Sequence, residues 1–296
     1  MTSDGTQQVQ VSGSGPHPID IMAGVDGTDP SKAPEKLGLS GTVIIATAIM
    51  PYKFSFGNGE WEISQRRGNS ALNSSFSHLA SGTSWNTVIV GWPGEVSQSI
   101  GKRDVQKEHQ QAEGGASTAP VQAVTASSYQ QHSAELEQDV VLSKQDRVNL
   151  EEQLSHEGNE LGKKIVPVWV VGEKDGDIKN GDVVLKDQNR WVDFAQREIW
   201  PTFHYLLREP TDGRKERTWW ADYIKFNQAF ADKIFEVYKP GDIVWIHDYQ
   251  LLLVPSMLRQ KLSSAYIAFF LHSPFPSSEF FRCMTSKMTQ LAAISS

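Results

Sequence analysis

Two short polar clusters, His247-Asp248-Tyr249 and His272-Ser273, carry the side chains best suited to chemistry. An imidazole beside a carboxylate can grip hydroxyl groups, move a proton or steady a developing charge. Each cluster follows a short apolar run, Ile243–Ile246 after Pro240-Gly241 and then Tyr266–Leu271. Their length and their β-branched and aromatic content predict buried strands. Between them Leu251, Val254, Leu258 and Leu262 recur at helical spacing, with Arg259 and Lys261 on the polar side. Pro255 fits such a helix only in its first turn, and Ser263-Ser264 ends it. The expected unit is βαβ, with parallel strands and a right-handed crossover. Open α/β sheets bind ligands at the carboxyl ends of their strands, which puts Asp248 and His272 at one edge of one sheet. The plainer alternative has Asp248 capping the next helix and His272 as a loop histidine.

The rest of the chain supplies the elements that must hold this edge. Val43–Met50 is a buried-strand candidate ended by Pro51, and Thr87–Val90 and Ile165–Val171 are two more. Ser143 with Asp146 three residues on resembles a capping box, followed by a short helix with Leu150 and Leu154 facing inward. Tyr223, Phe226, Phe230, Ile234 and Val237 make an apolar stripe, so 219–238 is an amphipathic helix whose stripe is packing. Residues 172–184 form a Gly/Asp-rich turn. Asn69 or Ser70, after Gly68, can cap a helix. Residues 1–38 and 97–138 are rich in Gly, Ser, Gln and other polar residues, and are expected to be a disordered tail and a disordered insertion.

Bulk numbers exclude several function classes. The chain has 296 residues, 39% hydrophobic, and a net charge of −7. That charge, without an Arg/Lys patch interleaved with aromatics, argues against nucleic acid. A single cysteine, Cys283, excludes an internal disulfide framework and a cysteine zinc site, and no metal is expected. No basic and apolar leader is read at the N-terminus, and no run reaches the roughly 18–20 apolar residues of a membrane span. The expectation is a cytoplasmic protein.

The stretches Trp245 with His247-Asp248-Tyr249-Gln250-Leu251, and Phe269-Phe270-Leu271-His272-Ser273-Pro274-Phe275-Pro276-Ser277, resemble the N-terminal domain of the trehalose-6-phosphate synthase family of retaining glycosyltransferases. Trp191–Tyr205 is similar to that family's helix and turn, with Trp200-Pro201 and Phe203-His204-Tyr205 matching, and Gly91-Trp92-Pro93-Gly94 is similar to its Gly-Trp turn. The resemblance implies an α/β fold, a Rossmann-like parallel sheet forming the N-terminal half of a GT-B glycosyltransferase, over 39–284. It implies glucose 6-phosphate as acceptor and UDP-glucose as donor substrate, with no separate cofactor. Asp248 would bind acceptor hydroxyls, His272 would sit at the donor sugar, and Trp200 would wall the acceptor site; Trp191, Gly68 and Asn69 would add substrate contacts.

Three departures bear on activity. Ile49 stands where the family has an arginine that helps hold the acceptor phosphate, and an isoleucine cannot make a charge-assisted hydrogen bond. Trp191 stands where the family has a phosphate-binding tyrosine. Residues 285–296 do not resemble the family, so the expected product is truncated before the donor-binding domain and inactive alone. A non-catalytic subunit that binds other trehalose synthase/phosphatase subunits is the alternative. An unrelated dinucleotide binder is disfavoured, because no Gly-x-Gly-x-x-Gly follows a predicted strand.

Overall fold

The computed structural model describes residues 37–66, 76, 78–99, 140–160, 163–172, 176–177, 182–206 and 211–276. Its strands in chain order are β1 Thr42–Ile49, β2 Tyr52–Gly57, β3 Glu60–Gln65, β4 Asn86–Trp92, β5 Val96–Gln98, β6 Val140–Leu142, β7 Lys163–Pro167, β8 Gly176–Asp177, β9 Asp182–Leu185, β10 Ile243–His247 and β11 Tyr266–Phe270. The helices with described bounds include α1 Lys144–Glu160, α2 Arg190–Phe194, α3 Trp200–Phe203, α4 Gly213–Val237 and α5 Val254–Lys261, with a π turn Ala195–Ile199 joining α2 to α3.

The main sheet has five strands in the order β11-β10-β1-β4-β7, and every pairing in it is parallel. β1 is at its centre and is buried almost end to end, which is why it reads as an unbroken apolar run rather than an alternating one. The alternation appears in which face each residue supplies. Ile44, Ala46, Val244 and Ile246 pack with Phe226, Phe230 and Ile234 of α4 and with Val254 and Leu258 of α5. Val43, Ile45, Ile243 and Trp245 pack on the other face with Phe76, Trp85 and Ile89. Successive side chains of a strand point to opposite faces, so β1 and β10 each serve two cores.

The expected βαβ unit is β10, α5 and β11, and Pro255 lies in the first turn of α5. The expected helix over 219–238 is α4, whose first turn lies further upstream and is capped by Asp212. The capping box forms: Ser143 N–H donates to Asp146 Oδ2 and Asp146 N–H to Ser143 Oγ.

Residues 52–65, unassigned from the sequence, fold into an antiparallel hairpin, β2 against β3. It turns at Asn58 and Gly59, with φ of 55° and 80°, the positive pair that a two-residue hairpin turn requires. The stretch from 172 to 184 is more than a turn: its described residues include β8 and β9, which with β6 make a small second antiparallel sheet. Ser97 and Gln98, expected in the insertion, are the end of β5, paired to β2. The remainder of the insertion from 100 to 138, and the tail from 1 to 36, lie outside the described residues.

Candidate functional site

The carboxyl ends of the main strands form two corners. The first is where β10 and β11 end. Asp248 follows β10 directly, and its N–H donates to Phe270 O at 2.8 Å. Its φ of 73° lies in the region that favours glycine, and for another residue that costs about 1–3 kcal/mol. The side chain offsets part of this: Asp248 Oδ1 accepts from Tyr249 N–H at 3.0 Å, and the His272 N–H points at the same oxygen from 3.4 Å. Asp248 and His272 therefore stand side by side at one sheet edge, and Asp248 also caps the short 3-10 turn Tyr249–Leu251. The binding and capping readings share one carboxylate.

His247 lies behind this pair. It is 2% exposed, with Phe76 against its ring at 5.2 Å in a T-shaped contact and Trp245 at 4.5 Å. Its Nδ1 is 3.0 Å from His272 Nε2. Burial, with a smaller push from His272, lowers its pKa to about 4, so it is neutral at physiological pH.

The loop after β10 is fastened by α4. The Tyr223 hydroxyl donates to Tyr249 O at 2.8 Å and accepts from Leu252 N–H at 3.3 Å. Asn227 Nδ2 donates to Tyr223 O and Gln250 O, and its Oδ1 accepts from Leu253 N–H. Both side chains are fully buried, and burial pushes the Tyr223 phenol above its ordinary pKa. The apolar stripe of α4 is packing, as expected, but Tyr223 also orients the loop that carries Asp248. Asn227 falls four residues after Tyr223 on the same face, which is the one sequence signal for its role.

Trp200 packs in a cluster with Phe203 and with Tyr249 and Leu271, the chain neighbours of Asp248 and His272. It is half-buried, and His204 stacks on its ring at 4.4 Å. The π turn before it adds a residue to the helical turn, a device common at functional sites.

The second corner is where β1 and β4 end. The β1–β4 register slips between Thr47 and Ile49, and such bulges re-aim the residues around them. Ile49 is half-buried and packs at the edge of the main core. Gly94, with φ of +82°, faces it: a Cβ on Gly94 would lie 3.6 Å from Ile49 Cγ2 and 3.1 Å from a guanidinium nitrogen of Arg66. A cation therefore does reach this corner, from the end of β3, where the Arg66 N–H also closes onto Pro51 O at 2.9 Å. Arg66 is half-buried and engaged within the protein. Sequence alone does not single it out, because only the unexpected hairpin delivers it here.

Trp191 is a core residue, 3% exposed, in one cluster with Trp92, Val168 and Phe226. The Arg190 guanidinium lies 4.3 Å over its ring. Gly68 and Asn69 lie outside the described residues. Among the described residues no group of three or more His, Cys, Asp or Glu side chains is placed to hold a metal ion, and no helix is long and apolar enough to cross a membrane.

Residues 86–295 match the model of Glycosyltransferase family 20. Among curated proteins, the chain is 35% identical over 253 residues to a trehalose-phosphatase of Saccharomyces cerevisiae, covering 82% of this chain and 25% of the relative. It is 45% identical over 118 residues to a trehalose synthase complex regulatory subunit of the same yeast, covering 40% of this chain and 11% of the relative. Among solved structures, the N-terminal domain of Candida albicans trehalose-6-phosphate phosphatase is 33% identical, with a TM-score of 0.53 over 87% of this chain and 38% of that one. The chain thus spans about a quarter of the length of the curated relatives it matches over most of its own length.

Proposed function

Because the chain belongs to glycosyltransferase family 20, we propose that it is a trehalose-biosynthesis protein that keeps the sugar-facing edge of a synthase without the family's transfer activity. The family reaction moves glucose from UDP-glucose to glucose 6-phosphate. In this reading Asp248 accepts hydrogen bonds from hydroxyl groups of a glucose unit, His272 meets a second sugar or phosphate oxygen, and Trp200 walls the site. The chain then acts beside other trehalose synthase or phosphatase subunits, in the cytoplasm, as a non-catalytic partner.

The observation that carries this reading is Ile49. An apolar side chain occupies the end of β1 where the family's phosphate-binding arginine would stand, and the nearby Arg66 is half-buried and engaged. Retaining transfer relies on holding donor and acceptor in near-attack geometry, and a misplacement of about 1 Å can cost about 100-fold. Loss of the contact that orients the acceptor phosphate therefore bears on rate as well as affinity. The relatives' names support the same reading: the match over most of this chain is to a phosphatase, and a regulatory subunit matches over a shorter stretch.

The test is UDP release by the purified chain with UDP-glucose and glucose 6-phosphate, beside Asp248→Ala. No turnover above the variant is expected. Turnover that disappears in Asp248→Ala would replace this proposal with the catalytic one, a trehalose-6-phosphate synthase.

A further inference from the structure

We propose that His247 is a positioning residue that fixes the tautomer of His272, so that His272 carries its proton on Nδ1 and presents an N–H donor at the open end of the sheet. The two rings are inclined by 19° with centroids 5.3 Å apart, and His247 Nδ1 lies 3.0 Å from His272 Nε2. Between two neutral imidazoles at that distance one nitrogen donates and the other accepts. The far side of His247 decides the direction. Its Nε2 is enclosed and has no hydrogen-bond partner among the described residues; Phe76, Trp245 and Phe270 pack around the ring. A proton on Nε2 would be an orphaned buried donor, and such groups are rarer than under-satisfied acceptors. The proton of His247 therefore belongs on Nδ1, where it donates to His272 Nε2.

A neutral His272 engaged in this way holds its own proton on Nδ1. The one titratable side chain that meets His247 among the described residues is His272, and burial keeps His247 neutral at physiological pH. His272 is exposed, and among the described residues its Nδ1 has no hydrogen-bond partner. The donor is thus open to an acceptor oxygen of a sugar hydroxyl or a phosphate. Asp248 on the same edge offers acceptors, so the edge would present one donor and one acceptor to a ligand. This proton placement follows from packing around His247 and stands whether or not the chain transfers glucose.

Long-range 1H–15N correlation spectra of the imidazole rings in the full chain at neutral pH read the tautomers directly. The expected pattern has Nδ1 protonated and Nε2 bare in both His247 and His272. His247→Phe keeps a ring in the pocket and removes the donor; His272 is then expected to move to the Nε2–H form or a mixture. His247→Asn returns an N–H donor near the same place and is expected to restore Nδ1–H. A His272 protonated on Nε2 in the unaltered chain overturns the proposal, as does Nδ1–H surviving unchanged in His247→Phe. If His247→Phe does not fold, the unaltered chain and His247→Asn still decide, since Nε2–H in either would overturn it.

Discussion

The two corners of the sheet edge differ in what fills them. At the end of β10 and β11, Asp248 keeps a φ of 73°, two histidines face each other, and the buried side chains of Tyr223 and Asn227 hold the loop with hydrogen bonds. At the end of β1 and β4, Ile49 packs against the main core and Arg66 lies against Gly94. The first corner holds strain and polar groups that apolar packing would not need; the second is filled by Ile49 packed on the core and by the Arg66 guanidinium beside Gly94. Strain that the surrounding structure maintains points to function, and among the described residues no non-glycine at the second corner has a positive φ. One sheet edge thus carries a polar, strained corner beside one that is mostly packed.

The largest predicted effect breaks the first corner. Asn227→Leu leaves the Leu253 N–H and the Gln250 carbonyl without their buried partner, and is expected to cost about 2–4 kcal/mol, read from the denaturant midpoint. Tyr223→Phe removes one hydroxyl from the same lattice and should cost about 1–3 kcal/mol. A midpoint unchanged in both would mean that the loop holding Asp248 is fastened otherwise.

Acidification tests the same corner through His247. Its folded pKa of about 4 lies below the ordinary histidine value of 6.5. The unfolded chain therefore takes up a proton first as pH falls. The stability due to neutral His247 is present above pH 6.5 and is lost progressively down to about pH 4, a loss of about 3 kcal/mol. Chemical denaturation between pH 7 and 4.5 should show a steeper decline in the unaltered chain than in His247→Phe. Equal slopes would remove His247 from the account.

Gly94→Ala addresses the second corner and should have the smallest effect on stability. An alanine at φ +82° costs about 1–2 kcal/mol, and its methyl group would press on Arg66. The imidazole signals of His272 should stay where they are, because the disturbance is confined to the other corner. A change in those signals would show that the corners are coupled.

The first corner is largely legible in the sequence. Short β-branched and aromatic runs ending in polar residues give the strands, periodicity gives the helix between them, and the parallel βαβ unit puts Asp248 beside His272. The inner partners are less legible. His247 reads as the last residue of a strand, and its pairing with His272 depends on the β10–β11 register, in which His247 lies opposite Phe270. Asn227 is one polar residue in an apolar stripe, and periodicity does not say that a buried amide will bond three backbone groups. The second corner is hidden for another reason. Asn58-Gly59 between the alternating Tyr52, Phe54 and Phe56 and the Trp61 and Ile63 that follow is a hairpin signal, but Pro51 ends the preceding strand and invites a loop. Without the hairpin nothing in the sequence brings Arg66 to Ile49. Trp191 is misleading in type: an indole that could donate to a ligand is used to fill the core.

The comparison rests most directly on how the chain weighs glucose 6-phosphate against glucose, measured by calorimetric titration of the unaltered chain, Ile49→Arg and Arg66→Ala. A charge-assisted phosphate contact is typically worth about 1.5–3 kcal/mol, or about ten- to a hundredfold in affinity. The unaltered chain is predicted to prefer the phosphate by less than about tenfold, and Ile49→Arg to gain at least one such contact's worth. A preference of about a hundredfold in the unaltered chain, lost in Arg66→Ala, would contradict the account: the phosphate site would then have survived, with its cation moved from β1 to the end of β3.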